Sequence, residues 1–182
     1  MGEAGRRGEI SSRGAGVVGL EEFRVKLGRY QVVGLDAMSF IHHFEGNPTF
    51  GPLTKVLFRE VLEGRLRAVI SVLVAGEVLT GAKRAGDAEL VLRYRHIFST
   101  FPNLDMFDVD MSVVEKASDL RAKYGLRTPD AIHIATALLN GAQAFVTNDA
   151  QLKQVAELDV LVLQDYVSET IDLSGIGSRE FL

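Results

Sequence analysis

Cysteine is absent from the 182-residue chain, which excludes disulfides, thiolate metal sites and cysteine nucleophiles, and leaves oxygen or histidine to hold any metal. The absence also fits a reducing compartment, so a cytoplasmic location is expected. Long apolar runs are missing as well. The longest, residues 66–76, is interrupted by Arg67 and Ser71 and falls short of the ~20 residues that a membrane span requires. Residues 14–20 are too short and glycine-rich for a signal core, and Glu21 and Glu22 follow them directly. Nor is there an excess of basic charge. The net charge is −4; six of the 20 basic residues and four of the 24 acidic ones fall in the first 30 positions, which leaves about −6 on the rest. A nucleic-acid ligand would therefore have to be bound by local basic patches rather than by the overall field.

What the chain does have is the balance of a packed globular protein, 47% apolar and 24% charged residues. Its length suits one domain that buries roughly two thirds of its unfolded surface. Residues 1–28 are rich in Gly, Ser and Arg without a sustained period and read as a flexible N-terminal extension. The folded domain is expected over 29–168, followed by a tail over 169–182 with Gly175 and Gly177. Within the domain, five short β-branched runs at 30–35, 68–72, 104–107, 144–146 and 160–163 alternate with helical patterns. Those patterns cover 37–44, 53–62, 74 to a stop at Gly81, 87–98 with Leu90, Leu92 and Ile97 as core contacts, 110–124 closed by Gly125, and 128–139. Strands alternating with helices argue for an α/β fold, with a five-stranded parallel sheet covered on both faces.

In such a sheet the usable crevice lies beyond the carboxyl ends of the strands. Asp36 directly follows the first strand, Glu77 lies early in the helix after the second, and Asp149 lies just past the fourth. Asp130 opens the helix that runs antiparallel to the sheet and feeds the fourth strand, so it too falls at this rim. Each acid also has an ordinary use: Asp36 and Asp149 can cap the segments they precede, Asp130 suits a helix dipole, and Glu77 can sit on a solvated helix face. Together, four carboxylates in one crevice repel one another unless a cation neutralises them. A hard ion such as magnesium, or manganese, fits an all-oxygen donor set and leaves room for a substrate phosphate, which it could orient for in-line attack by water. His133, one turn after Asp130, reads as a packed residue between Ile132 and Ile134, with a ligand or acid–base role as the alternative. Arg121, Lys123 and Arg127 read either as a basic lip for phosphates or as the basic last turn of a helix.

Four segments, VVGLDAMSFIHHFE (32–45), SVLVAGEVLTG (71–81), LRAKYGLRTPDAIHIATAL (120–138) and FVTNDAQL (145–152), together resemble the PIN-domain family, in particular its VapC-like toxin branch. The resemblance spans about residues 29–166. It implies a three-layer α/β/α sandwich and a magnesium-dependent endoribonuclease, the toxin of a type II toxin–antitoxin pair restrained by an antitoxin protein, with Asp36, Glu77, Asp130 and Asp149 as catalytic metal ligands. It further implies that Thr147 and Asn148 support the site and that two copies form a homodimer. Arg121 and Arg127, close in sequence to Asp130, are expected to contact RNA, and an antitoxin segment is expected to occupy the groove and offer a cation, an arginine, to the acids. The chain departs from the family pattern after Asp36. There Ala37, Met38 and Ser39 stand where a Thr and then a Ser or Asn are common.

Other functions of a carboxylate rim fit less well. Aspartyl phosphatases need a second Asp two positions after the first, where Met38 stands, and receiver-like domains want a Lys after the last strand, where Gln164 and Asp165 follow. A PIN nuclease of RNA processing, or a PIN-like module that binds RNA or protein without cutting, is the remaining alternative.

Overall fold

The computed structural model describes residues 13–167. In chain order the elements are α1 (Arg13–Leu27), β1 (Val32–Leu35), α2 (Ala37–Phe44), α3 (Gly51–Leu62), β2 (Arg67–Ser71), α4 (Val72–Arg84), α5 (Ala88–Thr100), β3 (Leu104–Phe107), α6 (Met111–Tyr124), α7 (Thr128–Leu139), β4 (Ala144–Thr147) and β5 (Asp159–Val162). Two 3-10 turns, Ala150–Gln154 and Leu163–Tyr166, flank the last strand. The five strands form one sheet in the order β3-β2-β1-β4-β5. Every pairing is parallel, as expected for short apolar strands joined by helices.

Side chains alternate along each strand, and the alternation splits the core in two. Val33, Leu35, Ala68, Ile70, Ala144, Val146 and Leu161 pack with α1 to α5 on one face. Phe145 faces the opposite way and joins Val113, Ala117, Leu120 and Leu126, with Ala131, Ile134 and Ala137 of α7, on the other. The result is the three-layer α/β/α sandwich. On the second face α7 lies close to the sheet: a Cβ at Gly34 would stand 2.5 Å from Ala137 Cβ and 2.6 Å from Phe145 Cδ2, so β1 needs glycine there. The approach of α7 to the sheet is set at its start by a sharp stop to α6. Gly125 adopts φ +67°, the left-handed conformation that ends a helix, and its N–H bonds back to Arg121 O. Pro129 then occupies the first turn of α7, where no N–H partner is needed.

Three expectations are corrected. Residues 13–27, expected within a flexible extension, form α1. Its Leu20, Phe23 and Leu27 recur at helical spacing, and Phe23 and Leu27 are fully buried in the first core. The Phe23 ring lies 5.0 Å from that of Tyr166. Beside this contact, the Tyr30 hydroxyl donates to Asp159 at 2.6 Å and Lys26 lies 3.6 Å from the same carboxylate. Burial of two such side chains contributes about 1.5–3 kcal/mol each, enough to fasten a helix that carries several glycines. Residues 1–12 and the expected tail 169–182 lie outside the described residues. The helix expected to stop at Gly81 continues to Arg84 and closes at Gly86, φ +69°. In α5 Leu90 and Ile97 pack against the first core as expected, but Leu92 is 64% exposed and the fully buried residue is Tyr94, 1% exposed, which lies on the Leu90–Ile97 face and fills an aromatic cluster with Phe44 and Phe98. Among the described residues no helix is long and apolar enough to cross a membrane.

Candidate active site

From β1 the strand order steps outward to either side, to β2 and β3 on one and to β4 and β5 on the other. A crevice opens beyond the carboxyl ends at that reversal. It is a cleft of about 590 Å³ whose lining includes Asp36, Glu77, Asp130 and Asp149, and also Arg127, His133, Thr147 and Asn148. The structure therefore brings all four sequence-predicted acids to one pocket. Met38, Ile41, Phe145 and Leu152 supply apolar wall.

Asp36 leaves β1 and is the N-cap of α2, accepting from Ser39 N–H at 3.1 Å. The capping use and the site use are thus one arrangement, since the cap turns the carboxylate back over the strand ends. Its second oxygen accepts from Thr147 Oγ1 at 2.5 Å. Side-chain support for Asp36 thus comes from Thr147 on the adjacent strand β4 and from Ser39, the last of the three residues that follow it. Burial pushes the Asp36 carboxyl up from its ordinary range, opposed by the hydrogen bonds from Thr147 and Ser39 and by the nearby His133. Thr147 also accepts from the N–H of Asp149 at 3.0 Å. One hydroxyl therefore ties together the acids that follow β1 and β4.

Asp149 caps the 3-10 turn behind it, accepting from Gln151 N–H at 2.9 Å. Asp130 lies in the first turn of α7, and Arg127 Nε donates to its Oδ2 at 2.9 Å. The same guanidinium reaches to 3.7 Å from Asp149 Oδ2. Glu77, on α4, approaches His133 Nε2 at 3.3 Å through its Oε2. Asn148 Oδ1 is buried and has no hydrogen-bond partner. Among the described residues no three acids or imidazoles stand close enough together to hold an ion as placed. The side chain that now lies between Asp130 and Asp149 is Arg127.

Of the predicted basic lip, only Arg127 reaches the cleft. Arg121 Nε donates to Leu126 O at 3.3 Å, and Lys123 pairs with Glu157 at 2.9 Å. Sequence reasoning passed over Ser71, which ends β2 fully buried with its hydroxyl 2.9 Å from His133 Nδ1. The available signal was a polar residue closing an apolar strand at the rim where the acids gather.

The PIN domain family matches residues 34–158, and the chain belongs to that family. No curated protein matches it. Among solved structures it is similar to a chain of a toxin–antitoxin complex from Klebsiella pneumoniae, with 24% identity and a TM-score of 0.55, over 73% of this chain and 97% of that one. It is similar also to a chain of DNA-bound VapBC from Salmonella typhimurium, with 18% identity and a TM-score of 0.57, over 73% and 98% of the two chains. A chain of VapBC2 from Rickettsia felis bound to a promoter DNA fragment matches at 16% identity and a TM-score of 0.56, over 72% and 98%. At these identities the likeness is one of fold.

Proposed function

We propose that this protein is a magnesium-dependent endoribonuclease, the VapC-like toxin of a type II toxin–antitoxin pair. The observation that carries the reading is the convergence of Asp36, Glu77, Asp130 and Asp149 on one cleft at the sheet's reversal point in a chain of the PIN family. The likeness of its fold to chains from toxin–antitoxin complexes supports the toxin assignment.

In donor chemistry the residues present suit a hard divalent ion. The donors are oxygens, Asn148 Oδ1 is buried without a partner, and the chain's own guanidinium already lies between two of the carboxylates, so the place accepts positive charge. Asp36, Glu77, Asp130 and Asp149 would hold magnesium or manganese, which when bound supplies Lewis-acid activation of a phosphodiester and of the attacking water. Thr147 holds Asp36 and the backbone of Asp149 in register, so the acids from two strands keep a fixed spacing. Arg127 has an exposed side chain at the mouth. Released from Asp130 and Asp149, it can pair with an RNA phosphate and neutralise charge that the acidic chain does not offset elsewhere. A neighbouring copy in a homodimer would extend the groove, and an antitoxin would block it by presenting a cation to the same carboxylates.

The toxin reading is tested by induced expression in a bacterial host. The parent arrests growth, Asp130→Asn does not, and co-expression of the small protein encoded beside the gene restores growth. Equal growth of parent and variant at equal soluble expression contradicts it.

A further inference from the structure

Three side chains from three elements form a line that the reading above does not use. Ser71 closes β2, His133 lies in the middle of α7, and Glu77 is on α4. Ser71 Oγ lies 2.9 Å from His133 Nδ1, and His133 Nε2 lies 3.3 Å from Glu77 Oε2. An ionised carboxylate can only accept, so Nε2 carries the proton and donates to Glu77. When neutral, the ring then presents a bare Nδ1, which the Ser71 hydroxyl satisfies by donating to it; the bond on one nitrogen fixes the tautomer on the other. Ser71 is free for this task. Although it precedes α4 as N-cap, its side chain makes no capping bond.

The two ends of the line differ in freedom. Ser71 and His133 are buried, held by the packing of α7 against the sheet. The Glu77 side chain is 40% exposed, and among the described residues His133 is its one side-chain partner. Without that bond, a glutamate on an exposed helix face would spread over several rotamers. One turn before His133 the same helix carries Asp130, so α7 presents one site acid and anchors another.

We propose that His133 is a positioning residue which, fixed by Ser71, holds the Glu77 carboxylate at the wall of the cleft in the orientation the metal requires. The inference rests on Glu77 being a metal ligand. Partners of this kind commonly alter metal affinity by about 10–100-fold when removed.

The test is Mn2+ binding to the purified full-length protein, read by electron paramagnetic resonance of free and bound ion, with thermal melts of every variant. Glu77→Gln is the control for the underlying reading. His133→Leu is expected to weaken Mn2+ binding about 10-fold or more. His133→Gln, whose amide N–H can donate near the Nε2 position, is expected to stay within about threefold of the parent, a rescue that loss of packing alone does not give. Ser71→Ala shifts affinity in the direction of His133→Leu, and it decides the matter if the leucine variant fails to fold. Parent-like binding by His133→Leu or by Ser71→Ala, while Glu77→Gln binds poorly, overturns the positioning role and leaves the metal site standing. A parent that takes up no Mn2+, or a Glu77→Gln variant that binds like the parent, overturns the reading beneath the proposal and the proposal with it.

Discussion

Arg127 donates from Nε to Asp130 Oδ2 at 2.9 Å and extends a terminal nitrogen to within 3.7 Å of Asp149, so a guanidinium bridges two of the four site carboxylates. An arginine three residues before an acid on a helix start is an ordinary surface pair; the second carboxylate, from the turn after β4, makes it a counter-ion for the cleft. Its side chain is 77% exposed, and solvent screening limits what it contributes to stability.

Removal of this cation has opposite effects on the two states. Arg127→Ala is predicted to lower the melting temperature of the metal-free protein by about 1–3 °C, and to tighten Mn2+ binding, because the ion no longer displaces a resident charge. Calorimetric melts in EDTA and in manganese, with a binding titration, check both. Unchanged melting together with unchanged or weaker binding contradicts the counter-ion role.

Asp36 gives the metal-free protein a pH dependence of definite sign. Burial raises its carboxyl above the ordinary value of 3.8, against the pull of Thr147 and Ser39. The folded state therefore holds this proton at pH values where the unfolded chain has lost it. Stability from this group is present in full below the unfolded pKa and falls as pH rises through the folded one. Asp36→Asn removes the titrating group. In urea unfolding across a pH series in EDTA, the parent should lose stability relative to the variant as pH rises above 3.8; parallel curves contradict the assignment.

Helix α1 is predicted to be part of the cooperative domain. Phe23→Ala empties a fully buried site and is expected to cost about 3 kcal/mol. Val25→Ala, 55% exposed on the same helix, should stay within about 0.5 kcal/mol. Equal, small effects in chemical unfolding would place α1 outside the domain.

Much of the sheet was legible because its strands are short apolar runs separated by helices with strong end signals. Residues 37–44 and 128–139 were read with their observed bounds. There Asp36 caps one helix, while Pro129 and the stop at Gly125 frame the other. The acid rim followed from topology alone, since residues placed just after parallel strands share one edge. Helix α1 was missed because its glycines dilute the pattern, although Leu20, Phe23 and Leu27 keep one face. The link of Ser71 to His133 joins residues 62 apart in sequence. Only the approach of α7 to the sheet, which Gly34 permits, creates it, and no local period encodes that distance. Arg127 was placed as a phosphate contact by nearness in sequence; its bridge to Asp149 depends on the turn after β4.

The most direct test of the account is cleavage of a panel of structured RNAs by the purified protein in magnesium, in manganese and in EDTA, beside Asp36→Asn and Asp130→Asn. The account predicts endonucleolytic cutting by the parent in either metal, none in EDTA, and a loss in both variants of at least about 100-fold. Folded parent protein, free of antitoxin, that cuts no better than its variants would contradict the nuclease assignment.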